Sequence, residues 1–163
     1  MSEAAYRLAQ AVGDRLREKG LSLGVVESAT GGLLSQLITS VPGSSDYYQG
    51  SITSYSNQVK VGVVGVSPDT LERYGVVSAP VAEEMAAGGR RVLASDICLA
   101  DTGIAGPGGA TAEKAVGLFY LGLADKDGTH SRSHHFTGDR EQNRLAAATA
   151  ALDWLTEYLS APK

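Results

Sequence analysis

Residues 21–27, Leu-Ser-Leu-Gly-Val-Val-Glu, run without a break into Ser28-Ala29-Thr30-Gly31-Gly32, and apolar residues then recur at Leu33, Leu34, Leu37 and Ile38. A short apolar run bounded by turn residues reads as a buried strand, and the spacing that follows it is helical. A strand that feeds a helix through so tight a turn restricts the fold sharply. Units of this kind lay helices over the faces of a sheet that contains parallel strands.

The remaining chain keeps the alternation. Ala5, Leu8, Val12 and Leu16 predict a first helix that stops at Gly20. Residues 47–55 alternate and are rich in β-formers, which predicts a second strand. Asn57 is expected to cap a short helix reaching about residue 64. Ser67-Pro68 and Ser78-Ala79-Pro80 each join a Ser cap to a Pro in the first helical turn. The second pair opens a longer helix to about residue 94, with Val81, Met85 and Val92 on one face. Residues 96–102 form a third strand holding Cys98, and residues 103–115 a long Gly/Pro loop. Residues 116–124 and 129–136 make a hairpin through Asp125-Lys126-Asp127-Gly128. Asp139 and Gln142 give a capping box for a last helix carrying Leu145, Leu152, Leu155 and Leu159. The expectation is an α/β protein, a three-layer α/β/α sandwich around a mixed sheet, in a single domain over residues 1–163.

Charge narrows the function. Lys and Arg number 14 against 18 Asp and Glu, a net charge of −4. Binders that neutralise phosphates carry a basic excess or stripe, so no nucleic-acid partner is expected. No apolar run approaches the length of a spanning helix, so no membrane partner is expected either. Met1-Ser2-Glu3-Ala4-Ala5-Tyr6 lacks the layout of a signal peptide. Cys98 is alone, which removes an intrachain disulfide and a cysteine metal cluster. A soluble, cytoplasmic domain is expected.

Several signatures fail. There is no phosphate-binding Gly-x-x-x-x-Gly-Lys-Ser/Thr, and Gly106-Pro107-Gly108-Gly109-Ala110-Thr111 lacks the third glycine of a dinucleotide fingerprint. Gly-x-Ser-x-Gly is absent. His130, His134 and His135 share one strand, where alternation turns His135 to the opposite face. Neither a metal site nor a Ser-His-Asp triad is expected from them.

What remains is a serine without a histidine. Ser28 ends a strand where Thr30, Gly31 and Gly32 open a helix, and unpaired N–H groups there suit a phosphate or an oxyanion. The same residues also read as a plain helix cap. Lys60 falls in a first helical turn, against the helix dipole, just after Tyr55. A desolvated lysine, or a tyrosine polarised by one, can act as base to a serine. The plain alternative is a solvated surface lysine. The loop Thr102-Gly103-Ile104-Ala105-Gly106-Pro107-Gly108-Gly109 follows a strand, where open α/β sheets bind ligands. A simple glycine connector is the other reading. Gly138-Asp139-Arg140 starts the last helix with an arginine suited to a phosphate or carboxylate.

In combination, Glu27-Ser28-Ala29-Thr30-Gly31-Gly32, Val41-Pro42-Gly43-Ser44-Ser45, Tyr55-Ser56-Asn57-Gln58-Val59-Lys60, Gly75-Val76-Val77-Ser78, the Thr102-to-Gly109 loop, Glu113-Lys114 and Gly138-Asp139-Arg140 resemble the CinA C-terminal domain family. The resemblance runs from about residue 5 to 158. It implies a nicotinamide-nucleotide amidohydrolase, which converts nicotinamide mononucleotide (NMN) and water to nicotinate mononucleotide and ammonia, without a cofactor or metal and in a homo-oligomer. It implies a serine nucleophile at Ser28, helpers at Tyr55 and Lys60, and a ligand arginine at Arg140. The length suggests the stand-alone form of the domain. Thr30, Gly31 and Gly32 are expected to hold the oxyanion, and Thr102, Gly103, Gly106 and Arg140 the nucleotide. Ala29 and Ala115 stand where the family more often has Cys and Pro. Asp101 stands where a small or apolar residue is expected; at the mouth of a phosphate site it would repel substrate or pair with Lys60 or Arg140. The rival reading is a non-catalytic nucleotide sensor or adaptor linked to competence or DNA damage.

Overall fold

The structure, a computed structural model, describes residues 1–162. Helix α1 (Glu3–Lys19) is capped by the Ser2 hydroxyl and ends at Gly20 in the left-handed conformation. Strand β1 (Leu23–Glu27) leads to α2 (Leu33–Thr39), and β2 (Tyr48–Thr53) leads to a single turn, α3 (Asn57–Val59). That turn widens into a π-helical segment at Lys60–Val64. Helices α4 (Pro68–Tyr74) and α5 (Ala79–Leu93) precede β3 (Ile97–Gly103). The hairpin of β4 (Leu118–Asp125) and β5 (Gly128–His135) follows, and α6 (Arg140–Ser160) closes the chain behind the expected capping box.

The sheet order is β2-β1-β3-β4-β5, with β1 parallel to β2 and β3 and the hairpin added antiparallel. The sheet is therefore mixed, with β1 and β3 at its buried centre, as the hydrophobic run of β1 requires, and β2 as a half-exposed parallel edge. Side chains on one face of the sheet (Leu23, Val25, Ile97, Leu99, Leu121, Leu123) pack under α1, α2 and α6. The other face (Val26, Cys98, Ala100, Ala124) packs against Val81, Met85 and Ala86 of α5. This is the expected three-layer α/β/α architecture. Cys98 is filler in the second layer, its thiol pushed up to about 12 by burial.

Two local expectations change. Ser56, not Asn57, caps the turn at α3, because Ser56 has the extended backbone of a cap and its hydroxyl accepts from Val59 N at 3.2 Å. Val92 is 47% exposed and leaves the buried face that Val81 and Met85 share. It sits in the last turn of α5, where its side chain faces solvent.

The backbone of α5 touches the π segment at Gly88, where a Cβ would overlap the Val64 carbonyl. Alanine in place of an ordinary helical glycine gains up to about 1 kcal/mol. Because a main-chain carbonyl cannot swing aside, Gly88→Ala should instead lower stability by about 1–3 kcal/mol in urea unfolding. An unchanged or raised midpoint would show that α5 can slide off the π segment.

Candidate active site

The chain leaves β1 through a turn held almost wholly by carboxylates. Glu27, fully buried, accepts from Leu34 N (2.8 Å) and Ser35 N (3.1 Å), so the first turn of α2 is already capped from inside. Asp101, 1% exposed on β3, accepts from Ser28 N at 3.1 Å and Thr30 N at 3.2 Å. The Thr30 hydroxyl lies 2.8 Å from Glu27 Oε1 and also contacts Asp101 Oδ1. Gly31 N donates to Ser28 O at 3.2 Å. Arg144 of α6 ties the turn from outside through Ala29 O (3.0 Å) and Thr30 O (2.9 Å).

Lys60 lies on the other side of Ser28 and is 1% exposed. Its Nζ donates to Ser54 O at 2.6 Å, to Tyr55 O at 3.2 Å and to Ser28 Oγ at 3.0 Å. Ammonium has three hydrogens, and these three oxygens use them all. When the nitrogen is neutral, the two carbonyls still take its two hydrogens, and the lone pair is left for the Ser28 hydroxyl. Burial pulls the Lys60 pKa below its ordinary value, while the charge on Asp101 works against that pull. A buried, partly depressed amine at hydrogen-bond distance from a hydroxyl can exchange a proton with it.

Both groups face a cleft of about 310 Å³, at the low end for small-molecule sites. It opens beyond the carboxyl ends of β1, β2 and β3, where such sheets place their ligands. Its walls include Ala29, Tyr55, Val76, Thr102, Gly103, Gly106 and Arg140. Arg140, the first residue of α6, donates to Gly106 O at 2.7 Å and to the Tyr55 phenol at 3.2 Å. Thr102 fixes one wall by donating to Val76 O at 2.8 Å. Lys114 fixes the same wall through Tyr74 O (2.7 Å) and Val77 O (2.6 Å).

Of the residues singled out from sequence, Ser28, Tyr55, Lys60, Thr102, Gly103, Gly106 and Arg140 meet at this cleft. Thr30, Gly31 and Gly32 do not line it, and the Thr30 and Gly31 amides already have acceptors. Asp101 is not at the mouth: it is sealed behind the turn and bonds backbone and hydroxyl groups rather than Lys60 or Arg140. Gly103 is a packing glycine, since a Cβ there would overlap the Phe119 ring. The three histidines diverge: His134 stacks on Phe136, His130 lies by Tyr158, and His135 Nε2 donates to Val116 O at 3.1 Å. The role of Glu27 in capping α2 and that of Lys114 in bracing the wall have no local sequence signal, because both depend on backbone groups brought in by the fold.

These features define an α/β/α sandwich with a buried serine–lysine pair at the carboxyl ends of its parallel strands. The comparisons place it: the CinA C-terminal domain model matches residues 5–159, and the chain belongs to that family. A CinA-like protein from Syntrophomonas wolfei is 48% identical over 144 residues, which is 88% of this chain and 35% of the relative. One from Geobacter sulfurreducens is 45% identical over 98% of this chain and 38% of its own length. The chain thus spans little more than a third of these curated relatives. The crystal structure of a competence/damage inducible protein from Agrobacterium tumefaciens superposes with TM-score 0.94 at 32% identity, covering 99% of this chain and 98% of that one. A competence or damage-inducible protein from Enterobacter asburiae gives 0.93 at 31% identity, covering 98% and 100%. Among the described residues no helix is long and apolar enough to cross a membrane.

The buried charges leave a signature in stability. The Lys60 pKa lies below its unfolded value of about 10.4, so between the two the unfolded chain binds more protons and stability climbs with pH. Lys60→Met should flatten that climb in urea midpoints measured between about pH 7 and 10. Asp101 has the opposite sign. Burial raises it to about 6, so its contribution is fullest below its unfolded pKa of about 3.9 and is lost as pH rises through about 6.

Proposed function

We propose that this chain hydrolyses the carboxamide of NMN to nicotinate mononucleotide and ammonia, a step of pyridine nucleotide recycling, with Ser28 as nucleophile and Lys60 as its base. The observation that carries the reading is the 3.0 Å contact between Lys60 Nζ and Ser28 Oγ inside a cleft. Membership of the CinA family supports the substrate class through the resemblance described above.

In the proposed reaction, Ser28 Oγ attacks the carboxamide carbon and its proton passes to neutral Lys60. The oxyanion is held by the amide of Ala29, a residue of the cleft wall whose N–H has no acceptor among the described residues. A donor of this kind is worth about 3–4 kcal/mol when removed from comparable sites. The C–N bond breaks as the Lys60 ammonium returns a proton to the departing nitrogen, which leaves as ammonia. Water then attacks the ester, Lys60 takes its proton, and the proton goes back to Ser28 Oγ as nicotinate mononucleotide leaves. The Tyr55 ring, 61% exposed, offers a face to the pyridine. Arg140 and the glycine loop near Gly106 and Gly108 offer donors to phosphate and ribose. Tyr55 acts here through its backbone carbonyl on Lys60 and its phenol on Arg140, rather than as a proton relay to Ser28.

Incubation of the pure protein with NMN should release ammonia and nicotinate mononucleotide in equal amounts. Ser28→Ala should cut turnover by about 10³-fold or more in a chain that still folds and binds NMN. Tight NMN binding by a wild-type protein that releases no ammonia would move the reading to the nucleotide sensor. Tyr55→Phe should mainly raise KM, by loosening Arg140, with kcat changed less than about tenfold.

A further inference from the structure

Val26 of β1 is in parallel register with Ala100 of β3, which brings Glu27 and Asp101 next, on the sheet face covered by α2 and α6. Both carboxyl groups are buried, and neither is ion-paired among the described residues. Two adjacent buried carboxyls without a cation are costly, so each calls for a reason. Glu27 has one, because it caps the first turn of α2. Asp101 caps no helix. Its two oxygens take the N–H groups of Ser28 and Thr30, which flank Ala29, so the turn is gripped on both sides of the Ala29 amide. The Ser28 hydroxyl is meanwhile engaged by Lys60.

We propose that Asp101 is a positioning residue for the Ser28–Lys60 pair: it seats the turn that carries Ser28, and its negative charge governs how firmly Lys60 holds a proton. The inference rests on the serine–lysine reading of the site and extends it to a residue outside the cleft. The charged and titratable groups around Lys60 leave this task to Asp101. Glu27 lies behind Asp101 and serves α2. Tyr55 presents its carbonyl to Lys60 and its phenol to Arg140. Arg140 is at the exposed rim, and Arg91 of α5 is spent on Val64 O at 3.0 Å. Asp101 opposes the effect of burial on Lys60. A base sealed from water without such a counter-charge would take up the serine proton reluctantly and would lack the cation that hands a proton to the departing nitrogen.

Proton bookkeeping ties the cluster together. The Thr30 hydroxyl has one hydrogen but contacts both Glu27 and Asp101. When it donates to Glu27, the contact with Asp101 is a hydrogen bond only if Asp101 carries a proton. Loss of that proton near pH 6 puts the charge where Lys60 feels it.

The test reads Lys60 directly. The full chain is labelled with 13C at lysine Cε, the Lys60 resonance is assigned by its loss in Lys60→Met, and its titration is followed in wild type, Asp101→Asn and Thr30→Val. The expected result is a Lys60 midpoint lower by about one pH unit in Asp101→Asn, a tenfold loss of proton affinity. Thr30→Val keeps the charge and should stay within a few tenths of wild type. Wild type alone should also show a second, smaller inflection of the Lys60 signal at the pH where Asp101 titrates, which keeps the proposal open to refutation if Asp101→Asn does not fold. Equal Lys60 midpoints in wild type and Asp101→Asn, or a wild-type Lys60 curve blind to Asp101, would overturn it. Because the titration uses no turnover, the two readings fail separately. A shifted midpoint in a protein inert toward NMN sinks the reaction alone, and an unshifted one in an active protein sinks the role of Asp101 alone.

Discussion

An ammonium group withdrawn from water needs an oxygen for each hydrogen, and the arrangement around Lys60 follows from that requirement. Two of its oxygens are the carbonyls of Ser54 and Tyr55, where the chain leaves β2 and the ladder no longer uses them. The third is Ser28 Oγ, where the chain leaves the neighbouring strand β1. Only adjacent parallel strands put both ends side by side. The π-helical segment begins at Lys60 itself, and irregular turns of this kind recur at functional sites. Around this nitrogen the Ser28 turn is braced from three directions: Asp101 from below, Arg144 from outside and Lys60 from the cleft.

Burial also separates the tasks of the charged groups. Glu27 satisfies the start of α2, which removes that helix terminus as an anion seat. Positive charge for a ligand is presented instead by Arg140, across the cleft from Ser28 and beside Tyr55. The guanidinium at the cleft and the amine beside the serine thus reside on different elements, α6 and the π segment.

Most of the architecture was legible because periodicity and caps are local. Gly20, the Asp139–Gln142 box and the Asp127-Gly128 hairpin each announce an element boundary within a few residues, and the structure uses all three. The convergence of Ser28, Lys60, Thr102 and Arg140 was legible only through their order along the chain, since no local rule relates residues so far apart. What escaped was geometry that depends on neighbouring strands. Asp101 reads from sequence as a charge at the mouth of a phosphate site because its partners, the Ser28 and Thr30 amides, arrive from β1. The glycines after Ser28 looked like ligand-binding positions, yet the inner carboxylates and Arg144 already claim that turn. Gly103 invites the same reading and is explained by a phenylalanine ring on β4.

The walls of the cleft come from five separated stretches: the end of β1, the chain after β2, Val76 and Val77 ahead of α5, the end of β3 with the loop after it, and the start of α6. No short fragment of the chain can therefore carry the complete site, and a molecule that fills the cleft acts as a staple across the whole fold. Its binding free energy is transferred to the native state by linkage, about 2.7 kcal/mol when the free ligand stands at a hundred times its Kd. Occupancy of the cleft and persistence of the folded chain are thus thermodynamically linked, so any ligand of this site also guards the chain against unfolding.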